Sequence, residues 1–198
     1  YDSARLLISA LWLAQDGKGL REWVDKLIKD ERFNKEELGK TLTEFKRNEE
    51  YNKCLELKDT PVPAAQCLTK YAVAFKDNKE QAAAALNGAA RFYLKAKKKD
   101  EAIAAYRELA KQFPEDKRGP LALFDVALIH NDSADFRAAA DAFEEFVKTF
   151  PNHEKVPQAL ATATRYRELL GDYDKVVEDG ELFLSTFSKD ERAAAVAY

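Results

Sequence analysis

The sequence predicts an all-α solenoid of stacked antiparallel helix hairpins. Three observations carry that prediction. Phe113, Phe150 and Phe187 stand 37 residues apart, and similar neighbours surround each one: Phe113-Pro114, Phe150-Pro151, Phe187-Ser188. A fixed period of this size marks units that cannot bury an apolar face alone and must stack. Only 7 Gly and 6 Pro occur in 198 residues, and the abundant Ala, Leu, Glu and Lys favour helix. Apolar residues also recur at helical rather than strand spacing.

In chain order, a first helix is expected over Ser3–Gln15, with Gly17 and Gly19 as punctuation after it. Its short apolar run, Leu6 to Leu13, reads as a buried helix face. It is too short to span a bilayer and lacks the basic start and cleavage site of a signal peptide. Leu20–Asp30 reads as a second helix, with a stripe of Trp23, Leu27 and Ile28. Asn34 suits an N-cap for a third helix, with Glu36 and Glu37 in its first turn. That helix carries Leu38, Leu42 and Phe45 and continues to about Leu57. Asp59-Thr60-Pro61-Val62-Pro63 predicts a turn, and Ala64–Phe75 a helix with Leu68, Tyr71, Ala72 and Phe75 on one face.

Helix pairs then follow regularly: Gln81–Ala96 with Asp100–Gln112, Gly119–Asn131 with Asp135–Thr149, and Lys155–Leu170 with Asp172–Thr186. A half-unit begins near Asp190. Short links make each pair antiparallel neighbours. This divides the chain into divergent helical hairpins over 1–59 and repeats over 60–198. The repeats fall at about 82–117, 118–154 and 155–189, with a trailing helix over 190–198, and the count is five hairpins plus that helix.

The units resemble the tetratricopeptide repeat (TPR). The residues that carry the likeness are Leu86, Ala89, Ala90, Tyr93, Ala102, Tyr106 and Pro114 in the first unit. The second has Leu123, Val126, Ala127, His130, Ala139, Phe143 and Pro151. The third has Leu160, Ala163, Thr164, Arg167, Val176, Gly180 and Ser188, of which Arg167, Gly180 and Ser188 depart at the aromatic and proline columns. Its Gly171-Asp172-Tyr173-Asp174 link is typical of the family. The period exceeds the usual ~34 residues, as in TPR proteins of bacterial envelopes such as the Tol–Pal coordinator and the outer-membrane assembly lipoprotein. The resemblance implies a right-handed superhelix whose first helices line a groove for an extended peptide or a partner helix. The groove residues it implies are Asn87, Arg91 and Lys95; Phe124, Leu128 and Asn131; Ala161, Arg165 and Glu168. Arg91 and Arg165 would hold carboxylates or carbonyl groups, and Phe124 and Leu128 would form an apolar floor.

Chemistry-bearing patterns are few. His130 reads as a half-buried ring and His153 as a solvated one; neither has neighbours at metal-ligand spacing, so no metal or cofactor is expected. No phosphate loop, nucleophile elbow or Cys–His pair occurs, and no catalytic residue is expected. Glu144-Glu145 and Glu178-Asp179-Gly180-Glu181 read as solvated faces of second helices, and the Lys95 to Lys99 run as a solvated turn. The net charge of −3 recruits neither nucleic acid nor an anionic membrane. Cys54 and Cys67 flank the Pro-rich turn. Facing positions near a hairpin turn can meet the ~7 Å disulfide limit, which would place the chain in an oxidising compartment. The alternative is two buried thiols in a cytosolic protein.

The function expected is a non-catalytic scaffold for protein or peptide partners, located in the periplasm or at the outer-membrane periphery of a Gram-negative bacterium. Alternatives are a regulatory domain of a larger cytosolic enzyme or transcription factor, and a self-association module using the open end near Ala193–Tyr198. The chain opens on Tyr1 and has no Met, which suggests a piece of a longer protein.

Overall fold

The computed structural model describes residues 2–14, 16–33 and 36–196. The helix end expected at Gln15 and the cap at Asn34 lie outside the described residues, as does the side chain of Glu36. The chain divides into two compact units, Tyr1–Thr60 and Pro61–Tyr198. Every regular element among the described residues is a helix.

The first unit holds α1 (Asp2–Leu13), α2 (Gly17–Lys29) and α3 (Glu36–Glu56). Its core joins Ala4, Leu20, Val24, Leu27, Leu38 and Leu42, with Ile8, Leu11 and Phe45 packed against it. Several expectations need correction here. Leu6 and Leu13 are exposed, so the apolar run of α1 is not a buried face throughout. The α2 stripe is Leu20, Val24 and Leu27, whereas Trp23 lies outside with the Lys26 ammonium 4.8 Å above its ring. Gly17 and Gly19, expected between two helices, form the first turn of α2. The Gly19 N–H donates to the Asp16 carboxylate at 2.8 Å, and a Cβ on Gly19 would stand 2.4 Å from that carboxylate. The cap therefore requires the absent side chain. Lys46–Asp25 at 2.7 Å and Arg21–Glu49 at 3.2 Å tie α3 to α2.

The second unit begins with α4 (Pro61–Ala74). Pro61 and Pro63 are its first turn rather than a loop, because the N–H that proline lacks has no helical partner there. Ala64, Ala65, Leu68, Tyr71 and Ala72 are buried, and Phe75 stacks on Tyr71 at 4.8 Å just past the helix end. Then come α5 (Lys79–Lys95), α6 (Lys99–Gln112), α7 (Arg118–Asp132), α8 (Phe136–Thr149), α9 (Val156–Leu169), α10 (Tyr173–Phe187) and the short α11 (Ala193–Val196). From α4 to α10 each helix packs on the next, and α5 also touches α7. The second unit is an α-solenoid of TPR-like hairpins.

The repeat is visible in the backbone. Each hairpin turns on one left-handed residue, Lys97, Ala134 or Gly171, at φ 59°, 57° and 71°. The next N–H bonds back across the helix end in every case: Lys98 to the Tyr93 carbonyl, Asp135 to His130 and Asp172 to Arg167, at 2.8–3.0 Å. This six-residue closure satisfies the last carbonyls of the helix. The links between hairpins repeat as well. The Phe113, Phe150 and Phe187 carbonyls accept from Asp116, His153 and Asp190 at 3.1, 3.0 and 2.9 Å. Asp116 and Asp190 then hold the N–H and guanidinium of Arg118 and Arg192. In the middle link His153 takes this place, its Nδ1 accepting from the Lys155 N–H at 3.2 Å. Its half-buried ring meets Phe146 edge-on at 5.4 Å, so it is a structural cap rather than a solvated residue.

Candidate partner-binding groove

Small side chains allow the first helices α5, α7 and α9 to lie against their partners. Ala89, Ala90, Ala102, Ala127, Ala139 and Ala163 are fully buried, as are the aromatics Tyr106 and Phe143 beyond them. This packing fixes which residues α5, α7 and α9 turn outward. Arg91, Leu128 and Arg165 occupy one repeat column and all three are exposed; Leu128 is 39% accessible. They form a ladder of one side chain per repeat, with an aliphatic rung between two guanidinium groups.

The neighbouring column behaves differently. Asn87 and Ala161 are half-buried, but Phe124 is only 5% accessible. Its ring meets Phe143 and Phe146 edge-on at 5.3 and 5.5 Å, and the Lys155 ammonium sits 5.0 Å over it. Phe124 is therefore core, not the floor expected of it, because α8 places two rings against it. Asn131 is half-buried and accepts from the Tyr166 hydroxyl. Glu168 is exposed, and so is Lys95 at the last position of α5. Lys95 is one residue out of register with Asn131 and Glu168; the matching position is Leu94. Beside the ladder, burial and the charge of Asp125 push the Tyr106 hydroxyl up to about 12, against a weaker opposite pull from Arg91.

At the last repeat Arg165 and Glu168 line a cleft of about 510 Å³ with Tyr166, Tyr173 and Arg192. The last three were not anticipated. Tyr166 is anchored by ring contacts to Phe136 and Phe143 at 5.1 and 6.5 Å, and its column gives no polar signal in the sequence.

Two polar residues that depart from the repeat are buried. Arg167 stands where the first unit has Tyr93 and the second His130. It is 4% accessible and bonds Asp141 at 2.5 Å, Glu144 at 2.6 Å and Asp172 at 3.4 Å. These carboxylates raise its guanidinium above the ordinary range, led by the Glu144 hydrogen bond. Asp179 was expected on a solvated face, but it is buried.

Cys54 is buried near the end of α3, Cys67 is half-buried on α4, and both are disulfide-bonded. Among the described residues no cluster of three ligating side chains is found, and no helix is long and apolar enough to cross a membrane.

Comparison with known proteins agrees with this geometry. Residues 84–116 and 121–153 match the family model described as tetratricopeptide repeat. Comparison with curated proteins gives no match. Among solved structures, MamA protein is similar at 16% identity and a TM-score of 0.47, over 98% of this chain and 93% of that one. PilW, a type IV pilus biogenesis factor, is similar at 13% identity and 0.45, over 98% and 81%. The hairpins α5–α6 and α7–α8 thus carry tetratricopeptide repeats, at residues 84–116 and 121–153, and every other regular element among the described residues is a helix.

Proposed function

We propose that this chain holds an extended segment or helix of a partner protein against the faces of α5, α7 and α9. Tetratricopeptide repeats serve as protein-interaction scaffolds, in general without catalysis. The observation that carries the finer reading is the exposed column Arg91–Leu128–Arg165. A bound segment would place apolar side chains on Leu128 and present carbonyls or carboxylates to the two guanidinium groups on either side. Such charge-assisted bonds contribute about 1.5–3 kcal/mol each.

A photo-crosslinking residue at Leu128, used in the source cells, tests this. It should capture a defined partner, and Arg91→Glu with Arg165→Glu should cut capture at least tenfold. Capture that is indifferent to both charge reversals would sink the groove reading.

The compartment we propose is the envelope of a Gram-negative cell, at the periplasm or outer-membrane periphery. The oxidised state of Cys54 and Cys67 supports it, since structural disulfides persist where reductants are scarce. A thiol count on unreduced protein from its source tests it.

A further inference from the structure

One repeat column holds Ala105 in α6, Ala142 in α8 and Asp179 in α10, and all three residues are buried. The fold plainly accepts alanine there. Asp179 is 6% accessible, and its Oδ2 has no hydrogen-bond partner among the described residues. An unpaired buried carboxylate is costly, so its presence calls for an occupant that would satisfy it.

Asp179 lines a cleft of about 830 Å³ between α8 and α10. Val156 and Leu160 of α9 line it, as do Leu182 and Phe187 of α10. The other carboxylates of the cleft already have cations. Asp141 and Glu144 bond Arg167 at 2.5 and 2.6 Å. Glu145 bonds Arg107 at 2.9 Å and Glu178 bonds Lys175 at 2.6 Å. Asp179 is the carboxylate left over, buried in a cleft that Lys148 and Lys175 also line.

We infer that this cleft is a second docking site, which takes an arginine or lysine side chain carried on an apolar segment of a partner protein. The aliphatic stem lies along Leu160 and Leu182, and the cationic head meets Asp179. A metal ion fits poorly, because no three ligating groups cluster there among the described residues. An anionic ligand would meet five carboxylates. The cleft is lined from α8, α9 and α10 and includes none of Arg91, Leu128 and Arg165, so it does not depend on that ladder. With no cation bound, burial and then the charge of Glu144 push the Asp179 carboxyl up to about 7, beyond the opposing pull of Lys175 and Arg167.

The test uses the isotope-labelled full chain and two peptide probes, Ac-Leu-Arg-Leu-Leu-NH2 and its citrulline counterpart, which keeps the shape but not the charge. The arginine peptide should perturb resonances of Leu160, Leu182 and Asp179. It should also lower the Asp179 titration midpoint by at least one pH unit, and the citrulline peptide should bind at least tenfold more weakly. Asp179→Ala should abolish arginine-peptide binding while raising the Tm by about 2–4 °C, since it restores the residue of the sister repeats. Asp179→Asn, which keeps the side-chain shape, should lose binding equally. Equal binding of both peptides, shifts confined to the Arg91–Arg165 face, or an Asp179→Asn chain that binds like the parent would each overturn the proposal.

Discussion

Asp179 makes the stability of this chain depend on pH in a direction opposite to that of an ordinary paired carboxylate. Its carboxyl is raised from 3.8 to about 7 in the fold. The folded chain therefore holds this proton more tightly than the unfolded chain does. Stability from this group is full below about pH 4 and is lost as pH rises towards about 7. The charged groups that face it are Glu144 from α8, Arg167 from α9, and Lys175 and Glu178 from α10. Denaturant unfolding of the parent and Asp179→Ala should give nearly equal stabilities near about pH 4, with the variant increasingly ahead by about pH 7.5. A constant difference across that range would show that the carboxylate is not the source. The group was legible in the sequence only by alignment: beside Ala105 and Ala142 it is an anomaly, whereas within Glu178–Glu181 it looks like one more surface acid. Phe124 misled for the converse reason. Its position in the repeat gives its angle on the helix, but not the two rings that α8 brings over it.

At the scale of the element, the hairpin joints carry most of the regularity. Lys97, Ala134 and Gly171 adopt the same left-handed backbone, yet only one of them is glycine. An L-residue is strained there by roughly 1–2 kcal/mol, partly offset by the greater freedom that glycine has when unfolded. Ala134→Gly should therefore stabilise the chain by about 0.5–1 kcal/mol in urea unfolding, and Gly171→Ala should cost a similar amount. No gain in the first and no loss in the second would show that the joint is not strained. The helix stops, in contrast, were easy to read. Phe113 and Phe150 precede proline and leave helical geometry, at φ −130°, ψ 55° and φ −128°, ψ 60°, because proline disfavours the α region for the residue before it. Phe187 precedes Ser188 and remains helical. Its ring keeps the contact of the preceding repeat all the same, 5.6 Å from Phe183, as Phe150 lies 6.0 Å from Phe146.

At the scale of the whole molecule, legibility divides where the repeat does. Residues 61–198 could be read by comparing a hairpin with its sisters. The first unit offers no sister: its core of Leu20, Val24, Leu27, Leu38 and Leu42 had to be inferred from spacing alone, and spacing placed Trp23 in a stripe that the structure leaves outside. The cysteines are a property of the whole chain, because their state reports the compartment. Unfolded but unreduced protein from its source should show no reactive thiol, and two after reduction. Two reactive thiols before reduction would remove the envelope proposal while leaving the docking surfaces intact.

The three joints at Lys97, Ala134 and Gly171 share one geometry, so hairpins could be transposed like beads without altering the string. The order of the beads would still matter. Among the described residues of that column, the last hairpin alone sets a carboxyl where its sisters pack alanine, and moving it earlier would give that group new neighbours. A permuted chain would thus test whether position, rather than composition, makes the cleft what it is.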